Sequence, residues 1–195
     1  MNKPLTFLLA LTFLFLFSCS VYGDDLQDGR DAYKRKDYAT AYKLLAPLAE
    51  QGDAGAQSNL GTMYGDGKGV PQDYKEAVKW YRLSAEQGEG SAQDMLGYMY
   101  QDGDGVPQDN KEAVKWFRLS AEQGREGGQF KLGWMYSQGR GVPQDYALAH
   151  MWYNLSASNG NKDAVKNRNI IENIMTKQQV ENAQEMARNW KPTTK

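Results

Sequence analysis

The sequence predicts an all-α protein made of helix–turn–helix repeats with a period of 36 residues. Residues 69–88 recur at 105–124 with only two differences, and a looser copy occupies 141–160. Within the copies, apolar residues recur at helical spacing rather than in the alternation typical of strands. Self-similarity at a fixed period of roughly 20 to 50 residues is typical of an array in which each unit packs on its neighbours.

The first helix of each unit is predicted from a Leu-Gly-x-Met-Tyr motif, which stands at 60–64, 96–100 and 132–136. A glycine inside a helix costs about 1 kcal/mol relative to alanine. Because Gly61 and its two counterparts occupy this unfavourable position, we expect close helix–helix contact there. A Trp or Tyr ring should lie against the bare backbone.

The second helix of each unit is predicted to begin after the aspartate of a Gly-Val-Pro-Gln-Asp turn. Asp73 with Glu76, and Asp109 with Glu112, have the spacing of a capping box, in which each side chain bonds a backbone N–H near the other. A glycine such as Gly88 ends the helix, since a left-handed residue costs least as glycine. The apolar stripe between these signals consists of Ala77, Trp80, Tyr81, Ser84 and Ala85.

These motifs, together with Ala-x-x-Trp and Ala-Glu-x-Gly, closely resemble the Sel-one-like repeat family. The resemblance covers three complete units, at 53–88, 89–124 and 125–160. The family is related to the tetratricopeptide proteins, so the resemblance implies a right-handed α/α-solenoid. It also implies that the first helices line a concave surface on which extended peptides or partner segments dock.

Two flanking segments complete the predicted array. Residues 24–52 resemble a degenerate, tetratricopeptide-like leading repeat, because they lack the long glycine loop. Pro47 should kink or loosen the last turn of its second helix. Residues 161–195 are predicted to form a C-terminal helical cap and tail, and Thr176 with Gln179 should form a capping box at the start of the final helix.

Residues 1–23 carry the features of a secretory signal peptide. A lysine precedes an apolar run at 4–17 that is shorter than the about 20 residues of a membrane-spanning helix. Two processing routes stay open. Cleavage after Gly23 would give a periplasmic or secreted chain, whereas Leu-Phe-Ser-Cys at 16–19 resembles a lipobox and would make Cys19 a lipidated membrane anchor.

Composition excludes several functional classes. The 23 basic and 24 acidic residues leave a formal net charge of −1, so we expect no nucleic-acid partner and no electrostatic attraction to a membrane. His150 is the single histidine and Cys19 the single cysteine. We therefore predict no catalytic residues, no metal site and no cofactor, and we expect a monomer.

Candidate binding residues come from comparing the repeats with one another. Positions that change within a nearly constant template are free to face solvent or a ligand, and Tyr98 and Trp134 occupy the same slot in successive units. The alternative interpretation is that these aromatic residues only fill gaps between first helices. The candidate partner-binding residues are Asn59, Thr62, Asp94, Met95, Tyr98, Phe130, Lys131 and Trp134.

The function that these features favour is that of an exported, non-catalytic scaffold of the bacterial envelope, binding a partner protein or peptide on the concave face. Two alternatives remain. One is an enzyme acting on cell-wall material, since some cysteine-rich relatives are described as binding or hydrolysing β-lactams; this chain lacks their paired cysteines. The other is a secreted or surface virulence factor that binds a host protein.

Overall fold

A computed structural model describes residues 25–193, and within that range the chain is helical with no strands. The first helix, α1, covers residues 25–34. No helix in the described range is long and apolar enough to cross a membrane. Residues 1–23 and Cys19, for which the signal peptide and lipidation are predicted, lie outside it. The other helices are α2 (Tyr38–Glu50), α3 (Ala54–Asp66), α4 (Tyr74–Glu86), α5 (Gly90–Asp102), α6 (Asn110–Glu122), α7 (Glu126–Gln138), α8 (Tyr146–Ser158), α9 (Lys162–Glu172) and α10 (Lys177–Asn189).

The chain divides into two compact units after Leu83. In the first unit, α2 packs on α3, and the buried core includes Ala41, Leu45 and Leu60. In the second unit, α5 packs on α6, α6 on α7, α7 on α8, and α8 on both α9 and α10. The core of this second unit is continuous from α6 to α10. All-helical repeats, as the sequence predicts, account for both units.

The mid-helix glycines of the first helices lie directly against aromatic rings, as predicted. A Cβ atom built on Gly61 would lie 2.7 Å from the Tyr81 ring, within the first unit. In the second unit, a Cβ atom on Gly97 would lie 2.6 Å from the ring of Phe117. The same replacement at Gly133 would bring it 2.9 Å from Tyr153. In each repeat, an aromatic ring of the second helix therefore packs against the backbone of the first helix at the glycine, where no side chain intervenes.

The glycine loops end each first helix in the same way. Gly67, Gly103 and Gly139 are C-caps with φ between 65° and 83°, where glycine is the least strained residue. The glutamine of the Pro-Gln-Asp turn reaches back to a carbonyl of the helix: Gln108 Nε2 donates to Gln101 O at 2.7 Å. The turn is thus tied to the helix that it follows.

The predicted capping boxes of the second helices form only in part. The Asp73 side chain accepts from the backbone N–H groups of Lys75 and Glu76, at 2.9 and 3.1 Å. The prediction of a reciprocal bond from the Asp73 N–H to the Glu76 side chain was wrong, because that N–H already donates to Tyr64 O at 3.0 Å. Glu76 instead pairs with Lys79 at 3.1 Å.

The second capping box is incomplete for the same reason. The Asp109 side chain caps α6, but its N–H donates to Tyr100 O at 2.8 Å. Glu112 pairs with Lys115. In both cases a carbonyl of the preceding first helix accepts from the N–H that a complete box would need.

Side-chain amides join consecutive repeats in the second unit. Gln123, from the Ala-Glu-Gln-Gly motif, donates to Gly88 O at 3.0 Å and to Gln93 Oε1 at 2.9 Å. One repeat later, Asn159 donates to Gly124 O at 3.2 Å and to Gln129 Oε1 at 3.0 Å. In both cases a side-chain amide of one repeat donates to the carbonyl of the glycine that ends the preceding repeat.

The two terminal segments are helical. Pro47 lies inside α2, which continues to Glu50. At the other end, Thr176 and Gln179 form the predicted capping box of α10. The ring of Trp190, the C-cap of α10, packs edge-on against Trp152 of α8, with centroids 6.0 Å apart.

Candidate partner-binding surface

The candidate residues of the first unit are held by local hydrogen bonds on α3. The Asn59 amide donates to Gly55 O at 2.6 Å. The Thr62 hydroxyl donates to Ser58 O at 3.1 Å and accepts from the Tyr81 hydroxyl at 3.0 Å. Thr62 therefore satisfies the polar end of the ring that covers Gly61, which is a structural role.

The other six candidates lie together in the second unit, on α5 and α7. We call this set the α5–α7 surface: Asp94, Met95, Tyr98, Phe130, Lys131 and Trp134. Met95 is the most accessible of them, with 40% of its surface exposed. The other five are half-buried. The residues that vary between repeats thus include one accessible apolar side chain, Met95, and five side chains that are packed on one side and partly exposed on the other.

Lys131 lies between the two aromatic rings that share a slot in successive repeats. Its Nζ is 4.5 Å from the centroid of the Tyr98 ring and 5.6 Å from that of Trp134. Burial lowers the pKa of Lys131, and the charge of Asp102 opposes that change. Lys131 forms no ion pair within residues 25–193, so cation–π contacts replace a carboxylate partner.

Tyr98 and Phe130 also contribute to packing. The Tyr98 ring contacts Phe117 edge-on at a centroid distance of 5.3 Å, and Phe130 lies 5.8 Å from Tyr153. Burial raises the pKa of the Tyr98 hydroxyl. Each ring is therefore fixed on one side by the second helix and keeps a partly exposed side, which is the arrangement of a rigid anchor.

Asp94 lies at one end of this surface and is anchored by a cation. Its Oδ2 accepts from Arg125 Nε at 3.0 Å, and 14% of the Asp94 side chain is exposed. Burial raises the pKa of Asp94, while hydrogen bonding by Ser120 and the Arg125 charge oppose the shift. This pair connects α5 to the residue that precedes α7.

A cavity of about 200 Å³ opens at the other end of the surface. Trp134 forms one wall, and Ile170 and Ile171 of α9 form another. The Tyr153 hydroxyl lies within the lining, 3.3 Å from Ser137 Oγ and 3.5 Å from Asn167 Nδ2. Apolar and polar groups thus share the lining, and a pocket that combines both can take one side chain or a small ligand. Gln138 completes the lining.

Sequence comparison of the repeats missed three parts of this site. Arg140, with its Cζ 5.0 Å from the Trp134 centroid, occupies a loop position at which Lys68 and Asp104 stand in the earlier repeats. That change was a usable signal. The signals at Arg125 and Ile170 were weaker. Ile170 belongs to the closing helices, which have no repeat template for comparison.

The structure shows no catalytic arrangement around the single histidine. His150 is fully buried on α8, and its Nε2 lies 2.7 Å from Glu172 Oε1 on α9. Among residues 25–193, no group of three or more His, Cys, Asp and Glu side chains could hold a metal ion. His150 therefore packs in the interior and is held by Glu172.

A family profile described as the Sel1 repeat matches residues 18–53, 54–89, 90–124 and 127–161. These four matches cover more than two thirds of the 195 residues. The chain belongs to the Sel1-repeat family. Among the four Sel1 repeats, the match at 18–53 includes the leading segment that lacks the long glycine loop.

Two crystal structures are similar to this Sel1-repeat chain. One is a protective antigen present in uropathogenic Escherichia coli strains, with 43% identity and a TM-score of 0.71 over 73% of this chain and 32% of the antigen. The other is a Sel1-repeat protein from Oxalobacter formigenes, with 34% identity and a TM-score of 0.71 over 74% of this chain and 59% of that protein.

The chain thus spans about a third of the first protein and about three fifths of the second. No curated protein matches it significantly. Sel1 repeats form a tetratricopeptide-like helical-repeat fold that is generally non-catalytic and binds other proteins. The fold of this chain follows from family membership.

Proposed function

We propose that this Sel1-repeat protein is a non-catalytic scaffold that binds a partner protein or peptide on the α5–α7 surface. The observation that carries the proposal is the position of Lys131, half-buried between Tyr98 and Trp134 without an ion pair among the described residues. Tyr, Trp and cationic side chains held rigidly and partly desolvated have the composition of a binding hot spot.

The size of the surface suits a short extended segment. α5 and α7 each contain 13 residues, so each is about 20 Å long. A peptide lying along such a helix would present about six residues, at about 3.3 Å per residue. Met95 adds an exposed, adaptable apolar side chain. The surface therefore supports recognition of a linear segment rather than of a large flat domain.

Site-specific photo-crosslinking in cells tests the proposal. A photoreactive amino acid replaces Met95, and a control replaces Lys115, whose side chain is 66% exposed on the second helix α6. We expect a discrete protein adduct at position 95 that excess wild-type protein competes away and that is absent at 115. Equal adducts at both positions, or none at 95, would contradict the proposal.

Export is the second part of the proposed function. Its support is the sequence of residues 1–23, with a basic start and a short apolar run. Mass spectrometry of the mature N-terminus distinguishes the routes: Asp24 as the first residue indicates signal-peptide cleavage, and a lipidated Cys19 indicates a membrane anchor. A full-length chain that retains Met1 in the cytoplasm would refute export.

A surface-exposed or secreted factor that binds a host protein is a second candidate function. It is favoured by the 43% identity to a protein described as a protective antigen. Antibody labelling of intact cells tests it, since a protein confined inside the outer membrane stays unlabelled until the cells are permeabilised. Labelling of intact cells would favour the host-binding role over a periplasmic scaffold.

A further inference from the structure

The cavity beside Trp134 has the size of a single aromatic side chain. Its volume is about 200 Å³, whereas an engineered apolar cavity of roughly 150 Å³ is enough to hold benzene. The apolar part of the lining is Trp134, Ile170 and Ile171, so a ring entering the cavity would contact an indole and two branched aliphatic side chains. The rest of the lining is polar and includes Ser137, Gln138 and Asn167. The fit in size and wall chemistry favours an aromatic occupant.

The cavity also has an accessible edge and polar groups. Ile170 is 63% exposed although it lines the cavity, and an occupant would cover part of that apolar surface. The Tyr153 hydroxyl makes only long contacts, at 3.3 Å to Ser137 and 3.5 Å to Asn167. These groups leave room for a hydrogen bond to a hydroxyl or indole N–H on the entering ring.

Two cations lie close to the same indole. Lys131 Nζ is 5.6 Å and Arg140 Cζ 5.0 Å from the Trp134 centroid. Neither forms an ion pair within the part of the chain that the structure describes. Asp102 acts on Lys131 through its charge and is too distant for an ion pair. A carboxylate next to Trp134 would therefore meet two positive charges, neither of which has a carboxylate within ion-pair distance among the described residues.

We infer that the cavity binds an aromatic side chain of a partner segment that also carries an aspartate or glutamate within about two residues of it. The aromatic ring enters between Trp134 and Ile170, and the carboxylate pairs with Arg140 and Lys131. Two residues of extended chain cover about 7 Å, which matches the short separation between the cavity wall and these cations. This inference rests on the proposed function and names the partner's chemistry.

A displayed library of random twelve-residue peptides, selected on the purified full-length protein, tests the inference. We expect enriched peptides to share an acidic residue close to Tyr, Trp or Phe. Synthetic copies of these peptides are then measured by fluorescence anisotropy. Replacing either the acidic or the aromatic residue by alanine should weaken binding about tenfold or more, as loss of a hot-spot contact does.

Matched protein variants connect binding to the cavity. Ile170→Ser removes a cavity wall, and Ile174→Ser is its control, because Ile174 is 61% exposed and does not line the cavity. Arg140→Glu reverses one cation, and Lys115→Glu is its control, because the Lys115 side chain is 66% exposed on α6 and does not line the cavity. We expect both test variants to weaken binding about tenfold or more and both controls to leave it within about twofold.

The outcomes separate this inference from the proposed function. Peptides whose binding needs Tyr98 and Lys131 but which lack an acidic–aromatic pair, or are insensitive to Ile170→Ser, would refute the inference and leave the scaffold function standing. Selection of no peptide whose binding depends on the α5–α7 surface would count against both. Folding of every variant is checked by circular dichroism, so loss of structure is not read as loss of binding.

Discussion

Replacing Gly61 by alanine should destabilise the protein, whereas the same change at Gly65, in the same helix, should not. A Cβ atom at Gly61 would lie 2.7–2.8 Å from three ring atoms of Tyr81, which is only 2% exposed and has no room to move. At Gly65 the nearest atom is the Cβ of Ala77, at 3.8 Å, an ordinary contact.

The magnitude follows from comparing the two variants. Each gains helix propensity, up to about 1 kcal/mol for glycine to alanine, so this gain largely cancels between them. The difference then reports the overpacking at Gly61, which typically costs about 1–3 kcal/mol. We expect Gly61→Ala to be less stable than Gly65→Ala by that amount.

Urea unfolding followed by circular dichroism measures the difference, provided that the slope with denaturant is unchanged between variants. A second test combines Gly61→Ala with Tyr81→Leu, in which a smaller side chain faces the new methyl group. In the Tyr81→Leu variant, Gly61→Ala should lower the free energy of unfolding by less than it does in the wild-type protein. Equal stability of Gly61→Ala and Gly65→Ala would refute the close-contact account of the mid-helix glycine.

Three further variants test other parts of the structure. Gln123→Ala removes the amide that joins two repeats and should lower the free energy of unfolding by about 1–2 kcal/mol in urea melts. Glu172→Ala leaves the fully buried His150 without its 2.7 Å partner, and should cost about 1–3 kcal/mol in the same assay. For Asp94→Asn we expect a changed pH dependence. Burial raises the pKa of Asp94 above 3.8, so the folded state holds this proton more tightly and loses stability as pH rises from 3.8 through the folded-state pKa. The free energy of unfolding of the variant minus that of wild type should rise over this window.

Each of these expectations has a contradicting result. An unchanged urea midpoint for Gln123→Ala would mean that solvent replaces the inter-repeat bonds without cost. A Glu172→Ala variant as stable as wild type would show that the histidine finds another partner. A difference between Asp94→Asn and wild type that is flat or falls with increasing pH would show that ionisation of the carboxylate is not penalised by burial.

Much of the local fold could be predicted because the chain repeats its own template. The starts of α4 and α6 after the turn aspartates and the ring contact at Gly61 follow from helix signals and from the cost of a mid-helix glycine. The absence of the reciprocal bond to Glu76 could not be predicted, because the spacing of a capping box does not show where the Asp73 N–H already donates. That donor is used by Tyr64 O, across the glycine loop.

The candidate site was predictable as a set of positions but not as an arrangement. The slot shared by Tyr98 and Trp134 is visible in the sequence, whereas the position of Lys131 between the rings depends on side-chain rotamers. The cavity needs Ile170 from α9, a helix outside the repeat, so no internal comparison could place it. Repeats therefore predict what recurs, whereas the closing helices, which do not repeat, contribute the cavity wall at Ile170.

Hydroxyl-radical footprinting of the wild-type protein, with and without the partner that cross-linking identifies, is the measurement that tests the binding surface most directly. Met95 and Met186 are equally oxidisable residues of similar exposure, 40% and 38%, and only Met95 belongs to the α5–α7 surface. We expect the partner to slow oxidation of Met95 and of Trp134 while Met186 is unchanged. Oxidation of Met95 at the same rate with and without the partner would contradict the account.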